Sequence, residues 1–164
     1  MQTKLKSQLV YVDEAGIDNR ADYPYGYCEI GQRFHALKSG KRSERTSWIA
    51  ALKEGQLFAP MTFTGTCDRG LFELWLEPCL VPQLQVGDVI VIDNASIHHS
   101  QAIEEIVAQA GCEIWYLPPY SPDLNKIERW WFVLKNWMRQ RWDEFESVRD
   151  CVDAAFKHCP NVFS

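Results

Sequence analysis

The stretch VIVIDN, residues 89–94, constrains the fold most tightly. Four β-branched apolar residues in succession leave the strand no polar side, so both of its faces are expected to be buried. A strand covered on both sides belongs to a sheet with helices packed above and below it. This strand ends on Asp93, at the kind of edge where α/β folds build their sites. LVYVDEAG at 9–16 repeats the pattern: an apolar strand ending at Asp13, then a turn containing Gly16.

The rest of the chain fits around these two strands. Residues 25–38 read as a hairpin broken near Gly31. Residues 47–65 read as two extended segments around Glu54-Gly55, with helix as the alternative for the first. Residues 69–80 read as a helix presenting Leu71, Leu74, Trp75 and Cys79, ended or distorted by Pro78. A helix over 100–111 carries Ile103, Ile106, Val107 and Ala110 on one face and stops at Gly111. Residues 112–119 form a short strand ended by prolines. A right-handed crossover places it parallel to the strand at 89–93. A long helix over 121–142 buries Ile127, Trp131, Leu134 and Met138, and an amphipathic helix over 143–158 ends before Pro160. The expectation is one α/β domain over 1–164, a mixed sheet flanked by helices.

Composition excludes several classes. At 46% hydrophobic and 24% charged, the chain is too apolar to be disordered. Its apolar runs are too short to cross a membrane, and no signal-like core precedes the first acids, so a cytoplasmic protein is expected. The six cysteines form no CxxC pair and no zinc spacing, and read as small buried hydrophobes. A net charge of −5 argues against a surface that grips nucleic acid everywhere. Two local runs, RFHALKSGKRSER at 33–45 and KIERWWFVLKNWMRQR at 126–141, nevertheless carry five basic residues and one acid each. Either can be a solvated face or a phosphate contact.

If the strands ending at Asp13 and Asp93 are neighbours, their carboxylates meet at the sheet rim. Glu128 starts the long helix after the loop PPYSPDLN and completes an acidic trio. Three clustered carboxylates repel one another and make chemical sense around divalent cations, for which hard oxygen ligands select Mg²⁺ or Mn²⁺. Two such ions about 4 Å apart serve phosphoryl transfer. Each acid also has a structural alternative. Asp93-Asn94 can be an Asx turn, Asp13 can do likewise before Gly16, and Asn125 with Glu128 has capping-box spacing. Glu14 is expected on the opposite face of its strand from Asp13. Asp18, Asp22, Asp88 and Asp123 read as turn or cap residues.

DEAG at 13–16, DNASIHHS at 93–100 and LPPYSPDLNKIERWW at 117–131 together resemble the catalytic domain of DDE transposases, in particular the bacterial insertion-sequence branch of the Tc/mariner superfamily. Thirty-four residues lie between Asp93 and Glu128, the spacing of DDE rather than DDD members. The resemblance implies a ribonuclease H-like fold. It makes Asp13, Asp93 and Glu128 the metal-binding acids for two Mg²⁺ or Mn²⁺ ions. Asn94 and His98 then help shape the site, and Tyr120, Ser121, Pro122 and Asn125 form the loop that positions the glutamate. Lys126 stands where many relatives have proline.

The implied activity is metal-dependent cleavage and strand transfer of double-stranded DNA, at transposon ends and target, by a nucleoid-associated homo-oligomer. Arg33, Lys41, Arg42, Arg129, Lys135 and Arg139 are candidate phosphate contacts. Relatives carry an N-terminal helix-turn-helix region, whereas this chain starts almost directly on the first catalytic strand. The expectation is therefore a catalytic domain without that region, with a catalytically silent DNA-binding or oligomerisation module as the alternative.

Overall fold

The computed structural model describes residues 5–17 and 45–159. The hairpin read at 25–38 lies outside them. Five strands form one sheet: β1 (Leu9–Ile17), β2 (Thr46–Lys53), β3 (Gln56–Thr64), β4 (Val89–Ile92) and β5 (Glu113–Tyr116). Their order is β3-β2-β1-β4-β5, antiparallel on the β3 and β2 side and parallel from β1 through β4 to β5. The parallel β4–β5 pair is the one the crossover rule requires. Glu54 and Gly55, at φ 52° and 78°, close the β2–β3 hairpin with a two-residue left-handed turn.

Both sheet faces are covered. Val10, Val12, Ile49, Ala51, Ile90 and Ile92 pack on one side against helix α1 (Arg69–Trp75), the turns after it, and helix α2 (Gln101–Gln109). Ile17, Trp48, Ala50 and Leu52 pack on the other against helix α3 (Glu128–Arg139) and helix α4 (Val148–His158). The alternation 48, 50, 52 against 49, 51 is the two-residue period of a strand, and β2 is buried continuously from Thr46 to Leu52 because helices lie on both sides. Among the described residues no helix is long and apolar enough to cross a membrane.

Three sequence expectations shift, and the distortion read at Pro78 takes a definite form. Helix α1 buries Phe72 and Trp75, while Leu74 is exposed; the stripe turns by one residue because the larger Phe72 takes the inner position. At Pro78 the helix loosens into a π-type turn, Leu76–Leu80, since proline has no N–H to continue the ladder. Helix α3 begins at Glu128, not 121: a 3-10 turn, Pro122–Leu124, comes first, and Asn125 is extended. Helix α4 begins at Val148, not 143, because Ser147 caps it by accepting from the Asp150 N–H. The stripe Ile127, Trp131, Leu134 and Met138 is buried as read, joined by Trp130.

Candidate active site

Strand β1 does not end at Asp13 but runs on to Ile17. What ends there is its parallel neighbour. The β1–β4 ladder stops at Tyr11 and Val91, whereas the β1–β2 ladder continues through Asp13 and Ala50 to Ile17 and Thr46. Asp13 therefore sits where the sheet forks, and Asp93 leaves β4 into the same fork. Asp13, Asp93 and Glu128 line one cleft of about 310 Å³, with Asn94, the loop 117–122 and Asn125 around it.

Glu14 belongs to this group too. One ligand oxygen from each of Asp13, Glu14 and Asp93 lies within 4.8 Å of the others. The expectation that Glu14 faces away from Asp13 is right about the strand. Asp13 turns to the α3 side, where the Trp131 indole N–H donates to its Oδ2 at 3.0 Å. Glu14 turns to the α1 side, where His98 Nε2 meets its Oε1 at 2.7 Å. With β4 ended, the two faces meet around one opening.

The electrostatics are those of crowded acids. Burial pushes the Asp13 carboxyl up to about 8; the Trp131 hydrogen bond opposes this, while the charges of Glu128 and Glu14 add to it. Asp93 goes the other way. The His98 hydrogen bond holds it below the usual carboxylate range against desolvation, helped by the Ala95 N–H at 3.0 Å. Burial works against the His98 imidazolium, yet hydrogen bonds to Asp93 and Glu14 and their charges outweigh it and carry the ring to about 9. The Cys67 thiol is pushed up to about 12 by burial and by the charge and hydrogen bond of Glu14.

The supporting residues are placed as follows. Asp93 does form the Asx turn foreseen as its alternative, to Ala95, and lines the cleft as well. Asn94 is exposed and bonds His99 at 2.6 Å; the His99 ring stacks on Tyr116, whose hydroxyl donates to the His98 carbonyl at 2.8 Å. Tyr120 is fully exposed at φ 57°, and the Ser121 hydroxyl donates to the Pro119 carbonyl. Pro122 opens the 3-10 turn. The capping box does not form: Ile127 is the N-cap, without a side-chain cap bond. Buried Asn125 instead accepts from the Ile127 N–H and donates through Nδ2 to the Val12 carbonyl, tying the loop to β1 beside Asp13.

The candidate phosphate contacts separate. Arg33, Lys41 and Arg42 lie outside the described residues. Arg129 lines a different hollow, of about 360 Å³, with Lys6, Lys126, Tyr11 and Trp130. Burial, Arg139 and Arg45 lower the Lys135 pKa, against the pull of Glu128 and Asp13, so these cations gather beside the acids. Arg45 was missed: its guanidinium lies across Gly16, where any Cβ would collide with it. The charged side chains lining the cleft are all carboxylates, and His98 is engaged at both ring nitrogens, which suits a hard divalent cation.

Residues 8–149 match the model of a family described as DDE superfamily endonuclease. No curated protein sequence gives a significant match. Among solved structures, the catalytic core domain of BIV integrase is similar at 16% identity and a TM-score of 0.58, over 92% of this chain and 81% of that one. A chain of the simian T-cell lymphotropic virus intasome in complex with PP2A regulatory subunit B56 gamma is similar at 12% identity and 0.59, over 92% and 47%. A chain of the Mos1 strand transfer complex is similar at 19% identity and 0.62, over 94% and 48%. The chain spans about half the length of the latter two. These likenesses carry the fold, the ribonuclease H-like mixed sheet expected from the sequence.

Proposed function

Since the chain belongs to the DDE superfamily endonucleases, we propose that it is a transposase catalytic domain. In this reading it cuts double-stranded DNA at an element's end and joins the freed 3′ end to a target. The observation that carries this is the convergence of Asp13, Asp93 and Glu128 on one cleft at the fork of the sheet. The family implies divalent-metal chemistry, and a cluster of carboxylates is the donor set for it. Bound there, two divalent cations, Mg²⁺ by ligand type, would activate the attacking hydroxyl and stabilise the leaving oxygen.

The chain's own residues do the rest. Asp13, Asp93 and Glu128 hold the cations. Asn125 holds the loop that delivers Glu128 against β1. Arg45, Lys135 and Arg139 accept the DNA backbone from the α3 side. The similar structures include an intasome and a strand transfer complex, which supports DNA as partner and assembly as a homo-oligomer upon it; the setting proposed for that assembly is the nucleoid. The alternative of a silent module is disfavoured by all three acids facing one cleft.

The test is strand cleavage of plasmid DNA with Mn²⁺ or Mg²⁺, comparing wild type with Asp93→Asn and Glu128→Gln. Loss of cleavage by on the order of a hundredfold or more, with unchanged thermal melts, is expected of lost metal ligands. Full activity in Asp93→Asn would sink the assignment. Raising salt should weaken DNA binding less steeply in Lys135→Ala, by about one unit of the salt slope.

A further inference from the structure

His98 has no exposed surface. Its ring is wedged between two acids. Nδ1 meets Asp93 Oδ1 at 2.8 Å, and Nε2 meets Glu14 Oε1 at 2.7 Å. The ring therefore bridges the two carboxylates. Phe72 packs on it with centroids 4.7 Å apart, and Tyr116 holds its carbonyl. The result is a line of side chains, Glu14–His98–Asp93, that begins on β1 and ends at an acid of the cleft.

The line acts on one atom. The close contact from His98 Nδ1 and the hydrogen bond from the Ala95 N–H both fall on Oδ1, while Nδ1 also lies 3.4 Å from the Asp93 backbone carbonyl. With Oδ1 so held, the carboxylate cannot swing, and Oδ2 is left as the oxygen for a cation. We infer that Glu14 is a positioning residue for DNA cleavage, acting through the buried ring of His98 to hold Asp93 in its one-oxygen ligating pose. The inference rests on the reading of Asp93 as a metal ligand. Outer partners of this kind change metal affinity by about 10- to 100-fold when removed.

A direct role of Glu14 as a ligand is the competing account, since its oxygen lies within 4.8 Å of those of Asp13 and Asp93. A double-mutant cycle separates the two. Mn²⁺ binding would be measured by calorimetry on the full chain for wild type, Glu14→Ala, His98→Ala and the double variant, with plasmid cleavage in parallel. If Glu14 works through His98, each single change weakens Mn²⁺ binding about tenfold, and the double variant is no worse than either. Glu14→Gln, which keeps an acceptor for Nε2–H, recovers most of the affinity. If Glu14 ligates directly, the losses multiply to about a hundredfold and Glu14→Gln recovers none; that result overturns the proposal.

Should His98→Ala fail to fold, proton NMR of the metal-free chain decides between Glu14→Gln and Glu14→Ala. The exchange-protected His98 ring N–H signals are kept in the first and lost in the second. Their persistence in Glu14→Ala also overturns the proposal. Wild type that neither binds Mn²⁺ nor cleaves DNA would count against the proposed function itself, while wild type that binds, with a multiplicative cycle, would count only against Glu14 as a positioning residue.

Discussion

The indole Nε1 of Trp131 donates to Oδ2 of Asp13 across 3.0 Å, so the helix that carries Glu128 also holds the strand's own acid. Trp131 is 3% exposed and meets Trp48 edge-on, with centroids 5.9 Å apart. Trp131→Phe keeps the ring and removes the donor. A buried carboxyl stripped of a partner costs about 1–3 kcal/mol. Urea unfolding should show a loss in that range, and Mn²⁺ binding should weaken because Asp13 is no longer fixed.

The raised Asp13 carboxyl predicts a pH dependence. Folded Asp13 keeps its proton to about 8, while the unfolded chain releases it near the ordinary 3.8. The folded state thus holds the extra proton, and its contribution to stability is full below about pH 4 and lost as pH rises through 8. Melts in chelator should fall from pH 5 to pH 8 for wild type and less for Asp13→Asn. Adding Mn²⁺ at pH 8 should raise the wild-type melt and leave the variant's unchanged.

At the far end of the sheet, Asp88 is 2% exposed. The Lys53 ammonium bonds both of its oxygens, at 3.0 and 2.8 Å, and the Gln85 N–H donates to it at 2.9 Å. Read from sequence as a turn residue, Asp88 is also half of a buried ion pair. Lys53→Met leaves that charge without its counterion and should cost about 3 kcal/mol in urea unfolding. Cleavage at saturating metal should not change, because the pair lies at the start of β4 and the acids at its end.

Asn125→Asp replaces the donor to the Val12 carbonyl with a second acceptor. Two acceptors facing each other in a buried place should cost about 2–3 kcal/mol. The same change frees the loop before Glu128, so cleavage should drop further than the melt alone accounts for. Equal melts and equal cleavage in Asn125→Asp would refute the tie.

The strands at β1, β4 and β5 and the candidate acids stood out because their signals are local: apolar runs that reach Asp13 and Asp93, and a proline-rich entry to the helix of Glu128. The start of α3 was not, since Asn125 spends its side chain on Val12, a partner 113 residues away, rather than on a cap. Glu14 was set aside by an alternation rule that is true of β1 but silent about where β4 ends. Trp131 looked like packing because its ring is buried, and only its N–H reveals the second task. Arg45 stood out only as the last residue of a basic run; its position depends on the missing side chain of Gly16.

The Nδ2 of Asn125 meets the Val12 carbonyl one residue past the last rung between β1 and β4. A side-chain amide there takes the place of the next backbone amide that β4 would have offered. The sheet is, in effect, extended by a single rung borrowed from a loop and then abandoned. An extra residue in β4 would supply that rung itself, push Asn125 out and carry Asp93 past Asp13. The length of one four-residue strand therefore sets the width of the gap in which the acids meet.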